Sequence, residues 1–595
     1  MSFDQSFSGI APYIRRTIGS ALRPGSIALF LALPILALSL STAVRASTSA
    51  NAQSPLGINV APVRYWTPEQ PLLNIFNTAD MWITHSDSNW ETNEEKFLNL
   101  DPNGWPITLT AVNNPNAQQF TSVSVLLLRN LPSTANGYYP AGQYVVLYDG
   151  QGTITYNFDA TLVSRAAGKD TINVAKPSTD GIDVRITATD PNHNGNYIRN
   201  IRVVKAENLP LLSAGTIFNP AFLNLIKGFR AIRFMDWLST NGNTLSSWSN
   251  RPVPSNAFWG TTNGVPLEAT VALANAISAD AWLNTPAMAD DNYITQMATL
   301  VHNQLSSSQK VYVEFSNEVW NGVFSQYQYA VNQGQAKFPA GLGSPYDYNR
   351  NWYGMRVAQM CDIWKSVWGP DSNRVNCLLV AQAATTYSAS EALDCPFWAA
   401  GKPCSSHNIT GVAMGPYFGG NVPASWASQS DGGLSNLFAS LYSQNDPSIP
   451  AGGWLAQDSG WEKAYVSMLA SYKLPLYCYE CGQSFVDYSA TLTKLYDAAN
   501  LDGRMGDAYS AYLKQWKGNG GQMVMLYSDV SALSAVGDWG ALQSIMQTTT
   551  PLTQAPPKWQ AIQNFMASNP CWWSGCVGTI TSTSTPRAPA NLTVH

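Results

Sequence analysis

A chain of 595 residues is too long for one ordinary domain and short enough for one large barrel with attachments. With 45% hydrophobic and only 12% charged residues it can bury a sizeable core, which excludes a disordered polymer. The balance of 33 Lys and Arg against 38 Asp and Glu leaves no surplus to neutralise a phosphate backbone, so nucleic acid is excluded as a partner.

The N-terminus carries Arg15, Arg16 and Arg23 ahead of the apolar run Ile27 to Leu40, followed by small-residue sites ending at Ala46 or Ala52. This reads as an export signal over residues 1–52, addressing the chain outside the cell or to the periplasm and envelope. The run is shorter than the roughly 20 residues of a comfortable span, and an uncleaved anchor is the alternative. That anchor would be the chain's membrane contact, since no later segment is long and apolar enough.

Eight cysteines fit an oxidising compartment. Cys395 with Cys404, and Cys571 with Cys576, are spaced to staple local loops, and Cys361 is within reach of Cys377. Cys478 and Cys481 form a C-x-x-C, a spacing that elsewhere serves redox or zinc chemistry. No second such pair and no HExxH accompany it, so no metal is expected.

In chain order, residues 53–105 open with a short apolar strand, Leu56 to Val60, and continue as loops rich in Asn, Asp and Trp. Residues 106–206 change to short alternating runs such as Ser122 to Leu128, Tyr144 to Tyr148, Ile182 to Thr187 and Tyr197 to Val204. With Gly, Asn, Pro and Asp between them, these predict an antiparallel β-sandwich of about 100 residues.

From 207 to 570, helical stretches alternate with apolar strands at Ala231 to Met235, Ala279 to Leu283, Val311 to Phe315, Val375 to Val380, Gly411 to Met414, Leu476 to Tyr479 and Met523 to Tyr527. With the first strand they make eight, which predicts an α/β fold: a (β/α)8 TIM barrel with the β-sandwich inserted. If the first helix is Pro220 to Lys227, the sandwich interrupts the first strand-to-helix loop and helps wall the mouth. Residues 571–595 form a Cys-stapled end and a Ser-, Thr- and Pro-rich tail expected to be disordered.

Two strands deliver carboxylates to their C-terminal ends: Val311 to Phe315 runs into Asn317-Glu318, and Leu476 to Tyr479 into Glu480. Nonadjacent strands of one barrel can face two carboxyls across its mouth. Cleaving a glycosidic bond needs that pair, one to protonate the leaving oxygen and one to attack or activate water.

Glu314, Asn317, Glu318 and Glu480, in the pattern Y-x-E-x-x-N-E on the fourth strand with a glutamate ending the seventh, resemble the clan of retaining (β/α)8-barrel glycoside hydrolases that includes cellulases, mannanases and xylanases. The resemblance implies that Glu318 is the acid/base, Glu480 the nucleophile and Asn317 the ligand of the sugar's 2-hydroxyl. It further implies that Arg233 lies near the nucleophile and that Tyr417 hydrogen-bonds it. Trp282 and Asn284 after the third strand, with Tyr527 and Trp539 around the eighth, are candidate sugar platforms. The substrate implied is a β-linked polysaccharide or oligosaccharide, and the chemistry needs no cofactor. A non-catalytic carbohydrate-binding protein and a transglycosidase are the alternatives. The β insertion and the missing histidine-containing signature near the sixth strand depart from the clan's pattern.

Overall fold

The computed structural model describes residues 54–110, 120–398 and 402–576. The expected export signal and the tail beyond Cys576 lie outside them. Each of the eight expected strands forms: Leu56–Asn59, Ala231–Arg233, Asp280–Thr285, Val311–Phe315, Val375–Ala381, Gly411–Met414, Leu476–Cys481 and Val524–Leu526. They pair in sequence order, all parallel, and the first pairs with both the second and the eighth, so the barrel closes.

Strands buried on both faces read as unbroken apolar runs, which is why they stand out in the sequence. Their outer face packs on the helices through residues such as Ile58, Val313, Leu379 and Cys478. The inner face is filled by Trp282, Tyr312, Tyr477, Tyr479 and Met525, with Trp573 among them. The interior is thus a packed core and not a pore.

The helix Pro220–Ile226 follows two four-stranded antiparallel sheets, placing them between the first barrel strand and its helix. One sheet has Ile83–His85, Ser122–Leu127, Ile182–Thr189 and Gly152–Phe158; the other has Arg199–Lys205, Gly142–Asp149, Lys169–Val174 and Ala160–Ala166. The strand Ile83–His85 comes from the stretch expected to be loops, being too short to show alternation. Phe76, Trp82 and Trp105, from the same stretch, are buried in the sandwich core beside Ala257 of the barrel domain.

Cysteines pair as Cys361–Cys377, Cys395–Cys404, Cys478–Cys481 and Cys571–Cys576. Four disulfides suit an extracytoplasmic, oxidising compartment. The C-x-x-C is bonded to itself and so offers no thiolate to a metal. Among the described residues no helix is long and apolar enough to cross a membrane.

Candidate active site

Arg233 ends the second barrel strand and is fully buried. A buried guanidinium must place five N–H donors, and here all five are used. Nε and Nη2 donate to Glu314 at 3.0 and 2.9 Å, Nη2 also to Asn317 Oδ1 at 2.8 Å, and Nη1 to Asn59 Oδ1 at 3.0 Å and Glu480 Oε1 at 2.5 Å. Burial opposes the charge, but Glu314 and Glu480 outweigh it and hold the guanidinium firmly protonated. The first, second, fourth and seventh strands thereby meet at one side chain.

Glu318 follows the fourth strand in a turn whose Ser316 and Glu318 have φ of 60° and 41°. Left-handed backbone at non-glycine residues persists only where neighbours over-determine it. They do so here: Asn284 Nδ2 donates to the Ser316 carbonyl and Gln326 Nε2 to the Asn317 carbonyl, both at 2.8 Å. The Glu318 carboxyl accepts from Tyr479 Oη and Asn321 Nδ2, each at 2.8 Å. Burial first, and then the charge of Glu480, push its pKa up to about 7, against the pull of those two hydrogen bonds.

Glu480 has a different setting. Its Oε1 meets Arg233, and its Oε2 accepts from Tyr417 Oη at 2.8 Å. Tyr417 begins a partly exposed aromatic wall, with Trp539 at 5.4 Å between ring centroids and Tyr527 a further 5.5 Å from Trp539. Tyr527 Oη donates at 3.2 Å to Asp236, whose pKa burial and Glu480 together raise to about 7.

The structure thus gathers Arg233, Asn317, Glu318, Tyr417, Glu480, Tyr527 and Trp539 around one barrel mouth. Trp282 and Asn284 take places other than those expected of platforms. Trp282 is fully buried inside the barrel, stacked 5.6 Å from Tyr312, with its indole N–H donating to Glu314 at 2.7 Å. It has no face left for a sugar. Asn284 is likewise buried and pins the turn that leads to Glu318.

Asn59, Asp236, Asn241, Asn321 and Tyr479 were not foreseen. Asp236 had a signal, a carboxylate three residues beyond Arg233 at a strand end. Asn241 had none: its Oδ1 accepts from Asn317 and Gln326 only because distant loops converge.

No protein-family model and no curated protein matches the chain by sequence. Similar solved structures include a glucosidase from Croceicoccus marinus, at 11% identity over 59% of this chain and 64% of that one, with a TM-score of 0.35. Others are a 4-O-alpha-L-rhamnosyl-beta-D-glucuronidase from Fusarium oxysporum (11% identity, 57% and 61% covered, TM-score 0.34) and a broad-specificity endoglucanase from Bacteroides salanitronis (11%, 59% and 85%, 0.33). The likeness is too loose to speak for chemistry.

Proposed function

We propose that the chain is an exported glycoside hydrolase that cleaves β-linked polysaccharide with retention, Glu480 attacking as nucleophile and Glu318 serving first as acid and then as base. The observation that carries the reading is the unequal setting of two carboxyls in one barrel mouth. Glu480 is held by a cation and a phenol. Glu318 has only neutral donors and a pKa raised to about 7, so it keeps a proton to give at near-neutral pH. Paired groups whose environments differ in this way divide the roles of acid and nucleophile.

In this scheme Glu318 protonates the leaving oxygen while Glu480 bonds to the anomeric carbon. Esterification removes the Glu480 charge that had helped raise the Glu318 pKa. Glu318 then takes a proton from the incoming water, and Glu480 leaves. Asn317 has one Nδ2 hydrogen engaged by Asn241 and one left for a sugar hydroxyl. The wall of Tyr417, Trp539 and Tyr527 offers ring faces to pyranose C–H groups. Such a platform beside the cleavage point favours an endo-acting enzyme on a polymer. The four disulfides and the Arg-led apolar run before residue 53 support export.

The test is product release by the protein from Gln53 onward against carboxymethylcellulose, mixed-linkage β-glucan, glucomannan and xylan, with Glu480→Gln as control. Release that vanishes in the control is expected. No release from any polymer, or an unaffected control, overturns the reading.

A further inference from the structure

We propose that the Cys478–Cys481 disulfide is a positioning device for Glu480, locking a one-residue bulge that turns this carboxyl into the barrel mouth beside Tyr479. The inference deepens the two-glutamate reading and rests on it.

Along the seventh strand, Leu476 and Cys478 face the helix layer, while Tyr477 and Tyr479 face the barrel interior. Strict alternation would turn residue 480 back toward the helices and residue 481 inward. The observed order is the reverse: Glu480 reaches Arg233 and Tyr417 in the mouth, and Cys481 packs in the helix layer. The pairing with the eighth strand shows why. Cys478 lies opposite Val524 and Cys481 opposite Leu526, so Tyr479 and Glu480 together oppose the single residue Met525. This is a bulge, which adds one residue and re-aims the side chains around it.

The disulfide requires the bulge. Across three residues of regular strand, Cα atoms lie about 10 Å apart. The first and last side chains would also point to opposite faces. A disulfide needs a Cα separation of roughly 4.4–6.8 Å. Cys478 and Cys481 are 6.1 Å apart, with both side chains buried in the same apolar layer. The bulge shortens the path and restores the facing that lets the sulfurs bond. Once formed, the bond prevents the strand from relaxing to regular register. Asn59 Nδ2 completes the arrangement by donating at 3.0 Å to the carbonyl of Tyr479, inside the bulge.

Each bulged residue serves a different carboxyl. Tyr479 donates to Glu318 at 2.8 Å, and Glu480 is the second carboxyl itself. One extra residue therefore brings Glu480 to the same side of the strand as Tyr479, the donor to Glu318. The cysteines touch neither substrate nor reacting atoms and act only through the backbone.

The experiment compares Cys478→Ala/Cys481→Ala with a second buried disulfide as control, Cys395→Ala/Cys404→Ala between the fifth and sixth strands, using the panel polymer that the parent cleaves. The expected result is a kcat lowered by about 100-fold, with KM within about threefold, because misaimed groups lose the reaction step while the platform still binds. The control should keep parental kcat. Cys478→Val/Cys481→Ala, which refills the space left by sulfur, is the second variant should the first melt below assay temperature. Parental kcat in either 478/481 variant, or an equal loss in the control, overturns the proposal and leaves the two-glutamate reading standing. A parent that cleaves no polymer overturns both.

Discussion

Arg233 ties Glu314 to Glu480: its guanidinium forks onto Glu314 at 2.9 and 3.0 Å and extends Nη1 to Glu480 at 2.5 Å. A lysine ammonium is a point charge without that planar fork and cannot hold both carboxylates in fixed geometry. Arg233→Lys is therefore expected to lower kcat by about 100-fold, a misplacement effect measured by steady-state kinetics. Arg233→Met should cost more in folding, because it strands the fully buried Glu314 without a cation. A loss of about 3–5 kcal/mol in urea unfolding is expected, the range for a buried pair broken on one side.

The raised pKa of Glu318 gives two pH signatures. In its proposed role as acid Glu318 must be protonated, so kcat/KM should fall above about pH 7. In Glu318→Gln, assayed on an aryl glycoside whose leaving group needs no proton, that alkaline limb should vanish. Stability follows the same group. Between the unfolded value of 4.5 and the folded value of about 7, the folded state binds the extra proton, so stability falls as pH rises through this window. Glutamine does not titrate. Glu318→Gln should match the parent near pH 4 and exceed it at pH 8, by on the order of 3 kcal/mol in denaturant melts. A parallel pair of stability curves would remove the raised pKa from the account.

Trp539 and Trp282 should separate cleanly in a mutant pair. Trp539 is partly exposed beside Tyr417, whereas Trp282 is fully buried under Arg233. Trp539→Ala is expected to raise KM by about tenfold through lost ring–sugar contact, worth roughly 1.4 kcal/mol, with the melting temperature little changed. Trp282→Phe removes the indole donor to Glu314 at 2.7 Å and should lower stability by about 1–3 kcal/mol.

The barrel was legible because each buried strand is an apolar run bounded by polar turns, and the strand-end placement of Glu318 and Glu480 was legible because both sit where such a run stops. The misplacement of Trp282 has the same origin. Trp282 lies opposite Arg233 on one neighbour and Tyr312 on the other, in an inward-facing layer. A list of strand candidates without registers does not distinguish that layer from the rim above it. Asn241 and Asn59 became visible only when the chain closed, since the partners that join them to the site lie 76 to 467 residues away. The C-x-x-C was conspicuous in the sequence, but its setting depends on an extra residue relative to the eighth strand, which no single-strand pattern reports.

Gly57 tests the closure itself. It lies on the first strand opposite Met525 of the eighth, with the second strand on its other side. A Cβ at this position would overlap the Met525 sulfur and come within 2.9 Å of the Ala231 carbonyl oxygen. The methionine end can swing aside, but the carbonyl belongs to a paired strand and cannot. Gly57→Ala should therefore destabilise the fold by about 1–3 kcal/mol, the cost of overpacking. Met525→Ala in the same chain should recover only the part of that loss due to the sulfur. A thermal-melt double-mutant cycle should give a coupling of about 0.5–1.5 kcal/mol between the two positions. The clash faces the barrel interior below the mouth, so kcat measured well under the melting temperature should stay within about threefold of the parent. A larger kcat loss would mean that the closure seam sets the geometry of Asn59, and through it Arg233, more tightly than the packing implies.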